Sequence, residues 1–250
     1  MKFSLCLETI FTDKSIDERA STAKLLGYDA IEIWDPAAYD LRLLDLAAAT
    51  LPFSCMALVD NWGTRCNVEF DALACQIKTS IQIGAALGCN QFIALAGDKV
   101  NPNQKQRLID NLRRAAEILE RNNAVLLVEA LNSTTDHPGY YLDNIKVCYE
   151  IIEGVGSPSV KLLFDIYHMQ VMEGNIISSI REHIGEIGHF HAAGVPGRNE
   201  LNRGELDYAQ IVDAIETSGY SGYFGLEYLP LKPHLNSARE MIACLGGTAR

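Results

Sequence analysis

At 250 residues, 48% of them hydrophobic and 21% charged, the chain has the composition of a soluble globular protein with a full core. A net charge of −11 and an isoelectric point near 5.0 argue against nucleic acid or an anionic membrane surface as partner. Glu8 breaks the amino-terminal apolar stretch and no small-residue cleavage site follows it, so it reads as a strand and not as a signal peptide. No apolar run approaches the roughly 18 residues of a membrane span, and the seven cysteines form no CxxC pair. Reduced, mostly buried thiols in a cytoplasmic protein are expected.

FSLCL (3–7) supplies the first strand, and Ser15 with Glu18 fits a capping box that opens a helix over RASTAKLLG. From there a unit recurs about every 30 residues. It runs as an amphipathic helix, a breaker that is often glycine, and a short apolar run. The junctions read LLGYDAIEIW, LPFSCMALV, ALGCNQFIAL, NNAVLLVE, GVGSPSVKLLF, HIGEIGHFH and TSGYSGYFGLE. Helical patterns follow at 40–49, 69–87, 103–121, 142–153, 176–184, 208–216 and 237–245. The alternation gives eight strands and eight helices, and right-handed crossovers favour a (β/α)8 TIM barrel formed by a single domain over 1–250. A doubly wound open sheet is the alternative, but the first strand leads into LETIFTDKS, which has no glycine-rich phosphate loop. Irregular segments at 60–68, 97–102, 130–141, 166–175 and 192–207 follow strands three to seven, where a barrel builds its active site.

Four consecutive apolar runs end in a residue able to bind a hard metal ion: VLLVE at Glu129, VKLLFD at Asp165, IGHFH at His191 and YFGLE at Glu227. One acid in such a place is usually a helix cap or a turn residue. Four at equivalent positions of adjacent parallel strands would converge at the carboxyl end of a barrel. Three carboxylates with one imidazole suit Mn2+ or Mg2+, with Co2+ or Zn2+ as geometric variants. Without a metal, the three acids repel one another and at least one should hold a proton.

VEALNSTTDHPGYYL, FDIYHMQVMEGN, GHFHAAGVPGR with GELDY, and GYFGLEYLP resemble the hydroxypyruvate isomerase family of the xylose-isomerase-like barrels, which also hold ketose 3-epimerases. The resemblance implies metal ligation by Glu129, Asp165, His191 and Glu227, with Glu129 and Glu227 doubling as the acid/base pair. It implies a substrate contact for His168, three residues after Asp165, and for Arg198, whose planar fork suits a carboxylate. It also implies interconversion of hydroxypyruvate and tartronate semialdehyde through an enediolate. The resembled isomerases carry glutamine where this chain has His191, and the epimerases carry histidine. A ketose 3-epimerase with the same metal site is therefore the rival activity.

A small-molecule substrate and no organic cofactor are expected, since the reaction is redox-neutral and no nucleotide loop is visible. Assembly of identical chains is compatible with this reading. His183 and His189 read as structural histidines, Asp136 to Gly139 as a turn, and Trp34 and Trp62 as core or pocket wall. Lys99 and Glu205 have a pocket role or a surface ion pair open to them. A DNA-repair barrel would need more histidines than six and a basic surface. A metal-free regulatory barrel is the non-enzymatic alternative.

Overall fold

Runs of four to six residues that are buried almost throughout can hydrogen-bond only as sheet covered on both faces, which is the parallel arrangement. The computed structural model describes residues 1–100 and 102–246. Its strands are β1 (Lys2–Cys6), β2 (Ala30–Ile33), β3 (Phe53–Ala57), β4 (Gln91–Leu95), β5 (Val125–Glu129), β6 (Val160–Asp165), β7 (Ile187–Ala192) and β8 (Tyr223–Leu226). Each pairs in parallel with the next, and β8 closes on β1. The (β/α)8 barrel expected from the sequence is the fold.

The helices around it are α1 (Ile16–Leu26), α2 (Leu41–Thr50), α3 (Phe70–Leu87), α4 (Gln104–Arg121), α5 (Ile145–Val155), α6 (Ile166–Met172), α7 (Ile176–His183), α8 (Tyr208–Thr217) and α9 (His234–Cys244). The Glu18 carboxylate accepts from the Ser15 backbone and hydroxyl at 3.0 Å each, so the capping box is present. Gly27, Gly88 and Gly156 end α1, α3 and α5 in the left-handed conformation that a Cβ disfavours.

One expectation is corrected. Residues 166–172, assigned to an irregular segment, form α6, which makes nine α-helices among the described residues. Asp165 Oδ1 caps it by accepting from the His168 N–H at 3.0 Å. Ile166, Tyr167, His168 and Met169 are all buried in succession, so no amphipathic period marks the helix. Residue 101 of the segment 97–102, and residues 247–250 of the single domain expected over 1–250, lie outside the described residues.

The core has two parts. A large apolar cluster fills the space between strands and helices, while Cys55, Ala57, Ile93, Leu127 and Leu163 form a small second cluster inside the barrel. Side chains alternate across a strand. Glu129 therefore shares the inward face with Leu127, Asp165 with Leu163, and His191 with His189. All seven cysteines are free thiols, buried except Cys75 and Cys244. Among the described residues no helix is long and apolar enough to cross a membrane.

Candidate metal centre and substrate cleft

Register places the four converging residues. Glu129 is paired with Leu95 and Leu163, Asp165 with His191, and His191 with Gly225. Glu227 follows β8 directly, its N–H donating to Ala192 O at 3.1 Å. Glu129, Asp165, His191 and Glu227 are all buried, and one ligand atom of each lies within 4.8 Å of the others.

His191 Nδ1 is buried, 3.5 Å from Glu129 Oε1 and 3.6 Å from Glu227 Oε2, and has no hydrogen-bond partner among the described residues. A buried nitrogen aimed between two carboxylates requires either a proton or a cation there. Three oxygen donors and one imidazole fit a divalent ion of the Mn2+ or Mg2+ type. The residues present therefore fit a metal.

The carboxylates are driven apart in protonation. Burial, reinforced by the negative charge of Glu227, pushes Glu129 up to about 7 and Asp165 up to about 6. Burial acts on Glu227 too, but Arg198 and His191 outweigh it and hold Glu227 below the usual glutamate range. Its two oxygens are taken by Trp34 Nε1–H and Arg198 Nη2–H. The expected proton on the acid cluster thus falls on Glu129 first.

His168 and Arg198 both reach this site. His168 Nδ1 accepts from the Asn132 backbone N–H at 3.2 Å and from its side-chain amide at 2.7 Å. The proton of the neutral ring is therefore on Nε2, which is buried, unpartnered and 3.7 Å from Asp165 Oδ2. Burial and the charge of Arg198 hold His168 well below its ordinary value, so it stays neutral. Asn132 is fixed in turn: its Oδ1 accepts from Thr135 N and Asp136 N, and its amide also donates to Asp136.

Arg198 occupies the left-handed region at φ 58°, a strained place for a side chain with a Cβ. Leu229 N–H to its carbonyl at 2.6 Å and Gly194 N–H to Asn199 O at 2.8 Å brace that turn. The Arg198 Nε–H is buried without a partner among the described residues.

Beside the acids lies a cleft of about 60 Å³ with walls from Trp34, Asn61, Trp62, Leu131, His137 and Arg198. Trp62 stays 56% exposed and stacks on His137 at 5.6 Å. The turn Asp136–Gly139 thus also forms part of the cleft wall. A larger hollow of about 600 Å³ sits at the other end of the barrel around Phe3, Lys24, Tyr28 and Glu216, and among the described residues no metal-ligating group converges on it. Lys99 pairs with Asp143 at 2.8 Å and Glu205 accepts from Gln170 at 3.1 Å, and neither lines the cleft.

Sequence reasoning passed over Glu32 and set His189 aside. Glu32 is buried inside the barrel and accepts from His189 Nε2 at 2.8 Å and His191 Nε2 at 2.7 Å. The signal was a charged residue in the middle of the apolar run AIEIW. Asn132 carried no such mark.

The sequence profile of the xylose isomerase-like TIM barrel matches residues 20–245. The chain is 31% identical to the hydroxypyruvate isomerase of Escherichia coli K12 over 92% of its own length and 94% of that protein. It is 29% identical to the 2-oxo-tetronate isomerase of Cupriavidus necator, covering 94% of this chain and 98% of the relative. Among solved structures, an AP endonuclease of family 2 from Brucella melitensis superposes with a TM-score of 0.88 at 24% identity, each chain covered to 98%. That last likeness concerns the fold alone.

Proposed function

The chain belongs to the xylose isomerase-like TIM barrel family and is an isomerase, and from that premise we propose that it interconverts hydroxypyruvate and tartronate semialdehyde, or a closely related short hydroxycarbonyl acid. The observation that carries this reading is the glutamate pair. Glu129 and Glu227 flank one imidazole nitrogen at 3.5 and 3.6 Å, in environments that favour opposite protonation states.

Glu227 serves as the base that takes the proton from the hydroxymethyl carbon, leaving an enediolate across the two carbons. Glu129 delivers a proton to the neighbouring carbon. The hydroxyl proton moves from the terminal oxygen to the former carbonyl oxygen, so the reaction balances without a redox partner. His168 Nε2–H stabilises the oxygen on which charge develops, and the Arg198 Nε–H holds the substrate carboxylate. A divalent ion held by Glu129, Asp165, His191 and Glu227 would supply Lewis-acid polarisation of the carbonyl.

The cleft supports a small substrate. Its volume is about 60 Å³, far below the roughly 300–1,000 Å³ of sites for drug-sized ligands, which suits a three- or four-carbon acid better than a hexulose. A ketose 3-epimerase is the second reading, favoured by His191 at the fourth ligand position. The deciding experiment offers the Mn2+-loaded protein hydroxypyruvate, 2-oxo-tetronate, fructose and tagatose in D2O. Turnover of an acid with one solvent deuterium on the newly protonated carbon is expected. Turnover of the ketoses alone would replace this reading with the epimerase, and no turnover of any of them would reject both.

A further inference from the structure

Beneath the four converging residues lies a second polar group that the proposed chemistry does not use. Glu32 on β2 is fully enclosed in the barrel. Its Oε1 accepts from Ser4 Oγ, from Ser54 Oγ at 2.9 Å and from His189 Nε2 at 2.8 Å, and its Oε2 accepts from His191 Nε2 at 2.7 Å. Burying a charge so deeply costs several kcal/mol unless each lone pair is matched, and here four donors from three other strands converge on it.

We propose that Glu32 is the positioning residue of the metal centre: it holds the His191 proton on Nε2 and so turns the bare Nδ1 toward the cation. This rests on the metal reading given under Proposed function. An ionised carboxylate only accepts, so the nitrogen 2.7 Å from it must carry the hydrogen. The other nitrogen is the one that faces Glu129 and Glu227. The arrangement is a carboxylate–histidine–metal relay, in which the outer carboxylate sets ring orientation and ligand basicity.

Two features show that the fold is shaped around this contact. A Cβ at Gly225 on β8 would stand 2.7 Å from Glu32 Oε1, 2.9 Å from Oε2 and 2.8 Å from His191 Cδ2, so only glycine leaves room for the pair. The β2–β3 register also shifts between Ile31 and Glu32, and the β6–β7 register shifts where it reaches His189. Irregularities of that kind re-aim side chains. Cys55 brings a thiol to the same place, and Glu32, Cys55, His189 and His191 could in composition hold a second ion. The two histidine–carboxylate separations are instead of hydrogen-bond length, with Glu32 as the acceptor for both nitrogens.

The test uses the full chain with 15N-labelled histidine, metal-free and loaded with Zn2+, together with Mn2+ titration of the wild type, Glu32→Gln and Gly225→Ala. In the wild type, His191 Nε2 is expected to keep its proton in both states while the Nδ1 resonance moves on adding Zn2+. Both variants should weaken Mn2+ binding 10- to 100-fold with unchanged circular dichroism. Gly225→Ala keeps every charge but crowds His191 Cδ2 as well as Glu32, so the 15N assignment of the wild-type His191 ring decides the matter even where either variant fails to fold. Zn2+ bound at Nε2, a second equivalent of Mn2+ per chain, or wild-type affinity in Gly225→Ala overturns the proposal while leaving the metal reading intact. A wild-type chain that binds no Mn2+ at all overturns both.

Discussion

The neutral, Nε2-protonated state of His168 can be tested by exchanging one nitrogen for oxygen in its neighbour. The Asn132 amide donates to His168 Nδ1 at 2.7 Å, and the Asn132 backbone N–H reaches the same atom at 3.2 Å. Asp136 Oδ2 lies 2.6 Å from the amide nitrogen of Asn132, and two carboxylates so close would share a proton, so Asn132→Asp is made together with Asp136→Asn; the new carboxylate oxygen then replaces the amide donor and at pH 8 only accepts. Charge-assisted hydrogen bonds are roughly twice as strong as neutral ones, so the carboxylate outcompetes the longer backbone contact and draws the proton to Nδ1. Nε2 then presents a lone pair to the substrate oxygen in place of a donor. Losing one such donor in a buried site costs about 2.7–4 kcal/mol of transition-state stabilisation, so kcat should fall about 10²- to 10³-fold. Asn132→Ala removes the amide but leaves the backbone N–H on Nδ1, so the tautomer persists and the loss should stay within about tenfold. Steady-state rates on hydroxypyruvate with Mn2+, alongside 15N spectra of the His168 ring, measure both. Equal losses in the two variants, or a ring still protonated on Nε2 in Asn132→Asp with Asp136→Asn, would refute the reasoning.

Glu129→Gln and Glu227→Gln should each lower kcat by about 10²- to 10⁴-fold with native circular dichroism, and near-normal rates in either variant would dismiss its acid/base role. Mn2+ affinity should rise with pH because the cation competes with protons. With Asp165 at about 6, that group alone gives about a tenfold tighter Kd at pH 7 than at pH 5, and calorimetry in two buffers would count the protons released. Mn2+ at 100 times its Kd should stabilise the fold by about 2.7 kcal/mol, visible as a melting temperature that EDTA lowers again. Trp62→Ala should leave stability within about 1 kcal/mol, since the indole is 56% exposed, yet raise KM by opening the cleft wall.

The barrel was legible because each unit carries its own punctuation: Gly27, Gly88 and Gly156 close helices, and the apolar run after each is too short for anything but a strand. The convergence of Glu129, Asp165, His191 and Glu227 was legible because parallel strands share one carboxyl end. Asp165 shows where a single-residue reading falls short, since it caps α6 and also belongs to the cluster. The helix it caps was hidden by its own burial. Glu32 was illegible for a different reason. It lies inside β2 rather than at its end, and its partners are 157 and 159 residues away, so only the closed barrel identifies it as the acceptor of two imidazoles. Asn132 sits in a loop rich in turn residues, where an asparagine bonding to nearby backbone is ordinary.

The interior of this barrel is divided by chemistry. Cys55, Ala57, Ile93, Leu127 and Leu163 form an apolar side supplied by β3 to β6. Ser4, Glu32, Ser54, His189 and His191 form a polar side supplied by β1, β2 and β7 with one residue of β3. A barrel core is ordinarily filled by branched apolar layers, so replacing part of that filling forfeits hydrophobic stabilisation unless the polar groups satisfy one another. Glu32 satisfies one nitrogen of each histidine, and its carboxylate lies well below the usual range because His189 and His191 outweigh the penalty of burial, while Nδ1 of each ring is buried with no partner among the described residues. The anion beneath His191 would make its Nδ1 a stronger metal ligand, while Ile93, Leu95 and Leu131 give the cleft an apolar wall. An apolar wall strengthens the charge interactions opposite it. Glu129, Asp165, His191 and Glu227 therefore stand where the polar half of the barrel meets the apolar half, and the proposed acid/base pair lies on that boundary.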